Sequence, residues 1–217
     1  MQPADAHLAR DPVLAGLIAE QGGPLPDDER RDGGPAPDVY GALLRAITGQ
    51  QLSVTAARAI HGRLLARFGN RAPTPAELLA DDPEELRAAA GLSRAKVASL
   101  RSLAEHVVDG ELKLDALARL DDGEVIGELV AVKGIGEWTA HMFLMFTLGR
   151  PDVLPTGDRG IVNAVTRAYG LAAPPEPAAL TELAEPWRPY RTRACRYLWR
   201  SLANEPLATG APNETAG

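Results

Sequence analysis

The residues best placed to do chemistry lie between Val130 and Val165, in VAVKGIGEWTAHMFLMFTLGRPDVLPTGDRGIVNAV. Gly134-Ile135-Gly136 falls between a short helix end and an apolar helix expected from about Glu137 to Leu148. A Pro/Asp/Gly loop then leads to a second helix opening near Asp158. A GxG turn this tight gathers backbone N–H groups at one exposed point, because glycine accepts positive φ and has no side chain to block approach. Such a point binds anions, and the obvious anion is a nucleic-acid phosphate. Asp158 follows Gly157 at a helix start, where aspartate serves as an N-cap. The capping N–H groups and the helix dipole hold its carboxylate ionised. An ionised carboxylate at ~4 Å from a developing cation, at an effective dielectric near ~20, contributes about 4 kcal/mol, roughly a thousandfold in rate. Trp138, His141, Met142 and Met145 share one helix face by their i, i+3, i+4, i+7 spacing. That face is either plain core or a pocket wall, where an indole stacked on a cationic ring is worth roughly 1–3 kcal/mol.

Helices must position these groups, since no alternating β-pattern of useful length appears and the chain reads as all-α, about ten helices. One helix is expected at Pro12–Glu20, followed by the Gly/Pro-rich linker GGPLPDDERRDGGPAP. Val39–Thr48 comes next and, after Gly49-Gln50-Gln51-Leu52, a helix over Ser53–Phe68 with Ser53 as N-cap. Short helices at Pro75–Ala80 and Pro83–Ala90 precede a longer one capped by Ser93; Leu114–Leu120 and Asp122–Val132 then lead into the glycine turn. Beyond Asp158–Tyr169 come a Pro-rich loop, a helix near Ala178–Ala184 and the stretch Trp187–Asn204, whose five arginines (Arg188, Arg191, Arg193, Arg196, Arg200) are a solvated face or phosphate contacts. Residues 206–217 are small and polar and are expected to form a disordered tail.

With 217 residues and 45% hydrophobic content the chain supports a sizeable core. A net charge of -6 argues against a general nucleic-acid coat protein, so DNA binding would depend on a local basic face. The single cysteine, Cys195, excludes an intramolecular disulfide and a four-cysteine zinc or iron–sulfur site. No signal-like or membrane-length apolar run is present, so a cytoplasmic protein, nucleoid-associated if bacterial, is expected.

In Val132-Lys133-Gly134-Ile135-Gly136-Glu137-Trp138-Thr139-Ala140, followed by Pro155-Thr156-Gly157-Asp158, the chain resembles the helix-hairpin-helix DNA glycosylases, and among them the DNA-3-methyladenine glycosylase II branch. The resemblance covers about residues 39–203 and implies a two-lobed all-α glycosylase unit over residues 1–205. Lobe A would span about 37–150 and include the hairpin 130–140. Lobe B would combine the helix 12–20 with 151–205, and the active-site cleft would lie between the lobes.

The resemblance also implies roles. Asp158 is the catalytic carboxylate. Gly134, Gly136 and Thr139 of the hairpin contact DNA, as does the turn at Gln51 or Leu52, whose side chain plugs the gap left by the extruded nucleotide. Trp138 and Trp199 embrace the base, with Met142 and His141 lining the pocket, while Trp187 matches a structural tryptophan. Trp138 stands where relatives with lyase activity carry lysine, and tryptophan forms no Schiff base with the sugar. The implied activity is monofunctional excision of alkylated bases of the 3-methyladenine and 7-methylguanine type from double-stranded DNA in base excision repair. The chain would act as a monomer, with no membrane, no iron–sulfur cluster and no catalytic cofactor. A structural Na+ or K+ would sit on the main-chain carbonyls of Val130, Val132 and Ile135. The sequence departs from the family at Met142 and Arg159, where aromatics are usual, and at Gly157 and Lys133. The rival expectations are a non-catalytic DNA-binding hairpin module and a glycosylase for another damaged base. The catalytic reading requires that the carboxylate at 158 be neither buried in packing nor aimed away from the groove behind the Gly134-Ile135-Gly136 turn.

Overall fold

The computed structural model describes residues 2–23, 25 and 38–203; the expected linker at 24 and 26–37 and the tail at 206–217 lie outside them. Among the described residues there are twelve α-helices and no strand. In chain order these are α1 (Pro3–Leu8), α2 (Pro12–Glu20), α3 (Val39–Gly49), α4 (Val54–Arg67), α5 (Pro75–Ala80), α6 (Pro83–Ala90), α7 (Arg94–Val108), α8 (Asp122–Ala131), α9 (Glu137–Phe146), α10 (Arg159–Ala168), α11 (Pro177–Leu183) and α12 (Arg191–Ala203). No helix among these residues is long and apolar enough to cross a membrane. The residues divide into two compact units, one of 38–150 and one of 2–25 with 151–203.

Local signals set most boundaries. Ser53 and Ser93 accept hydrogen bonds from Ala56 N and Lys96 N, as their placement before α4 and α7 predicts. Thr74 with Glu77 and Asp121 with Glu124 close capping boxes that open α5 and α8. Three stretches differ from expectation. The helix α1 is an additional element, started by Pro3 with no side-chain cap. Of Leu114–Leu120, only Leu117–Arg119 coils, as a 3₁₀ turn; the Arg150 guanidinium takes the carbonyls of Ala118 and Leu120, which a continuing helix would need for itself. The run from Trp187 breaks at Pro189, whose ring and missing N–H interrupt a helix, so Glu185–Trp187 is a 3₁₀ turn and α12 starts at Arg191.

In the 38–150 unit, α7 packs against α3, α5 and α6, α4 against α3 and α6, and α9 against α3 and α8. Leu43, Leu44, Ile47, Leu64, Leu78, Leu86, Leu100 and Leu103 are buried there. In the other unit α12 packs on α10 and α2, with Ala194, Cys195, Tyr197 and Leu198 fully buried. A buried polar cluster joins the start of the chain to α12. The Arg193 guanidinium donates to both oxygens of Asp5 (2.6 and 2.9 Å) and to the Leu25 carbonyl, and the Tyr197 hydroxyl donates to Asp5 Oδ1 (2.6 Å) while accepting from Leu25 N.

Candidate functional site

The 38–150 unit carries the hairpin. Between α8 and α9, Ile135 N donates to the Val132 carbonyl (3.0 Å), which closes the turn, and Gly134 adopts φ +84°. Two constraints require glycine at 134. The left-handed backbone disfavours a side chain, and an added Cβ would stand 2.0 Å from Ser99 Oγ and 2.8 Å from Ser99 Cβ on α7. Lys133 N donates to Ser102 Oγ one turn further along α7, so α7 forms the floor on which the turn rests. Gly136 is the N-cap of α9 and provides no side-chain cap, and both Gly134 and Gly136 are exposed. Backbone amides therefore start α9 at an open surface, the arrangement an anion needs.

Gln50, which the sequence reading passed over, ties the neighbouring turn to this hairpin. Its side-chain amide donates to the Gly134 carbonyl (2.9 Å) and to Thr139 Oγ1 (3.3 Å). The turn between α3 and α4 is thereby held against the hairpin. Its next residue, Gln51, sits in the left-handed region (φ +57°), where a non-glycine residue is strained. Gln51 is exposed, and Leu52 is 39% exposed, unusual for a leucine in a turn pinned at its base. Thr139, expected to contact DNA, is instead buried, its hydroxyl accepting from Gln50, so its side chain supports the turn rather than meeting a phosphate.

Trp138 stands 42% exposed at the start of α9. His141 and Met142 are half-buried on the same helix, whereas Met145 is core. Burial pushes the His141 imidazole below its ordinary value, against the opposing charges of Glu137 and Asp122, so the ring is neutral at pH 7. The side chains of Val132 and Ile135 are buried and that of Val130 is exposed. Carbonyl oxygens suit a hard monovalent cation, and the Val132 oxygen keeps a second lone pair beside its bond from Ile135 N. No group of three or more His, Cys, Asp or Glu among the described residues could hold a metal.

The other unit carries Asp158 and Trp199. Asp158 is the N-cap of α10, its Oδ1 accepting from Ile161 N at 2.8 Å. The same oxygen accepts the indole N–H of Trp199 from α12, at 2.9 Å. Burial pushes the nearby Cys195 thiol up, and the negative charge of Asp158 pushes it the same way, so Cys195 remains a neutral thiol. Asp158 itself is only 6% exposed. The expectation that this carboxylate not be buried in packing is not met: it is enclosed, in part by the first turn of α10 and the Trp199 indole. The carboxylate is thus in contact with fixed dipoles rather than bulk water, where each unit of charge acts more strongly.

The arginines of the last stretch are largely committed elsewhere. Arg188 and Arg191 pair with Asp152, and Arg193 is buried on Asp5, which removes these three as simple phosphate contacts. Trp187 is fully buried and donates to Asp11, as expected of a structural tryptophan.

An all-helical chain with a glycine hairpin and an aspartate capping the helix that follows is the class the fold defines. The family model for the HhH-GPD superfamily of base excision DNA repair proteins matches residues 44–189, and the chain belongs to that superfamily. It is 38% identical over 166 residues to DNA-3-methyladenine glycosylase 1 of Schizosaccharomyces pombe, covering 76% of this chain and 72% of that one. The structure of the S. pombe 3-methyladenine DNA glycosylase in complex with abasic DNA superposes with a TM-score of 0.81 at 33% identity, covering 95% of this chain and 98% of that one. A DNA-3-methyladenine glycosidase from Bacillus halodurans superposes with a TM-score of 0.79 at 36% identity, covering 94% and 90%. The resemblance drawn from the hairpin and the spaced aspartate is borne out.

Proposed function

We propose that the protein is a monofunctional DNA glycosylase that excises alkylated bases, of the 3-methyladenine and 7-methylguanine type, from double-stranded DNA, acting as a monomer and leaving an abasic site. The observation that carries this reading is the Asp158 carboxylate, fixed at the N-terminus of α10 by Ile161 N and the Trp199 indole, in a chain of the base excision repair superfamily. The similarity to proteins named for 3-methyladenine supports the substrate class.

Each group has a chemical task. The amides around Gly134 and Gly136 bind a backbone phosphate, and the Gln51/Leu52 turn, braced by Gln50, fills the stack when a nucleotide is extruded. A cation on the Val130, Val132 and Ile135 carbonyls would stiffen the hairpin and add positive charge there. The exposed indole of Trp138 stacks on an alkylated purine, whose positive charge suits the ring face. A base methylated at N3 or N7 already carries the charge that a neutral base would have to acquire by protonation. No general acid is then needed, in keeping with a neutral His141. As the bond to the base breaks, the sugar gains oxocarbenium character, and Asp158 stabilises it until water adds. Tryptophan at 138 forms no imine with the sugar, so the backbone stays intact.

The test is incubation with duplex containing 7-methylguanine, followed by hot alkali to reveal abasic sites. Wild type yields strand breaks only after alkali, and borohydride traps no covalent adduct. Binding of the duplex without release of methylated base would reduce Asp158 to a helix cap and the protein to a DNA-binding module.

A further inference from the structure

Gly160 is the third residue of the Asp158-Arg159-Gly160 start of α10, and its backbone does not need a glycine, because its φ is not in the left-handed region. Of the other helical glycines, Gly16, Gly62 and Gly127 have nothing within 4 Å of an added Cβ, whereas Gly49 would meet Ala57 Cβ at 3.5 Å and Gly123 its N-cap Asp121 Oδ1 at 3.4 Å, both ordinary contacts. At Gly160 that atom would lie 2.9 Å from Asp158 Oδ1 and 3.1 Å from both Cδ1 and Nε1 of Trp199. The missing side chain is thus the space through which the indole edge reaches the carboxylate. The ring itself is delivered by a fixed helix: α12 is anchored by Arg193 and Tyr197 on Asp5 and by Arg191 on Asp152.

We propose that Trp199 and Gly160 form a positioning device for the catalytic carboxylate, in which the indole N–H holds Oδ1 of Asp158 and the bare Cα of residue 160 admits it. This rests on the reading of Asp158 as the catalytic group. Trp199 then differs in kind from Trp138: its N–H edge sets the direction of the charge, whereas Trp138 offers a ring face to the base.

The two roles separate experimentally. Trp199→Phe keeps an aromatic face and loses only the N–H, so a stacking role survives it and a positioning role does not. In single-turnover excision, W199F slows about ten- to a hundredfold, the range for a hydrogen bond to a charged group. The factor is the same for 7-methylguanine and 3-methyladenine, which stack differently, and binding of abasic duplex stays within about twofold. Gly160→Ala slows excision in the same way, because its Cβ forces the carboxylate and the indole apart, and circular dichroism shows the variant folded. In 15N–1H spectra of the free protein, the indole signal missing from W199F is the one displaced by both Asp158→Asn and Gly160→Ala. If W199F and G160A excise at the wild-type rate, or if W199F slows one methylated base far more than the other and loses abasic-duplex affinity with it, the proposal is overturned and the glycosylase reading stands. A wild type that releases no base overturns both, even where the indole signal still reports the contact with residue 158.

Discussion

Two buried aspartates are held by the same helix, and they are held differently. Asp5, fully buried, takes the Arg193 guanidinium on both oxygens and the Tyr197 hydroxyl on one. Asp158, nearly as buried, receives on Oδ1 two neutral donors, the Ile161 amide and the Trp199 indole, the latter just two residues beyond Tyr197 on α12. A guanidinium cancels the charge it binds, and what remains is a fastening between the first helix and the last. A neutral N–H orients the oxygen it binds without itself bringing a countercharge. Residue type and burial alone would not separate the two; the chemistry of the donors does.

The sharpest way to break this comparison is to remove the charge at each aspartate in turn. Asp158→Asn should lower excision of 7-methylguanine by roughly a thousandfold, the scale of about 4 kcal/mol between a carboxylate and a sugar cation. Its unfolding midpoint should be almost unchanged, because asparagine caps a helix about as well as aspartate. Single-turnover kinetics and a urea melt on the same sample decide it. Full activity in the asparagine variant would make Asp158 the structural residue and erase the distinction from Asp5.

Asp5→Ala should do the reverse. It leaves the Arg193 guanidinium buried without its carboxylate, a change that costs about 3–5 kcal/mol, read as a shift of the urea midpoint. The fraction that remains folded should excise normally at low temperature. Replacing both partners, Asp5→Leu with Arg193→Met, should recover much of the loss, since a buried pair exchanged for apolar groups is often neutral.

Acid should reveal the same fastening. Burial pushes the Asp5 carboxyl up, but the Arg193 guanidinium and the Tyr197 hydroxyl outweigh it and hold it below the ordinary aspartate value of 3.8. A depressed folded value contributes stability that is complete above the unfolded value and is lost as pH falls through the folded one. The stability gap between wild type and Asp5→Asn should therefore be constant from neutrality down to about pH 4 and narrow below it. Urea midpoints taken at descending pH would show it, and a gap that stayed fixed or widened under acid would contradict the assignment.

How far the sequence reaches is visible in these same residues. The helical class, the hairpin and the Asp158 cap are signalled within a few positions, by 3.6-residue spacing, by Gly134 and Gly136 and by an aspartate at a helix start. The partners of the two aspartates are not. Trp199 lies 41 positions from Asp158, and Arg193 lies 188 from Asp5. An arginine in a basic, aromatic stretch looks like a phosphate contact until the fold brings the amino-terminal helix to it. Gln50 has the same character: nothing beside it says that its amide reaches the hairpin 84 positions on. Gly160 could be noticed as a helix-weakening glycine two residues after the candidate aspartate, but what fills its space is a tertiary fact.

The smallest effect is the most discriminating, because it compares neighbours on one helix. Tyr197→Phe removes a single neutral donor from Asp5, and the Leu25 amide that the hydroxyl accepts loses its partner too. A hydrogen bond to a charged group contributes about 1.5–3 kcal/mol, and the guanidinium stays in place to bear the charge. The variant should therefore lose stability toward the lower end of that range and keep its excision rate within about twofold. Trp199→Phe, two residues on, removes one neutral donor from the other aspartate and should show the opposite split. If instead both variants lost the same property in the same proportion, α12 would be one undivided support, and the separation of fastening from catalysis along it would have to be given up.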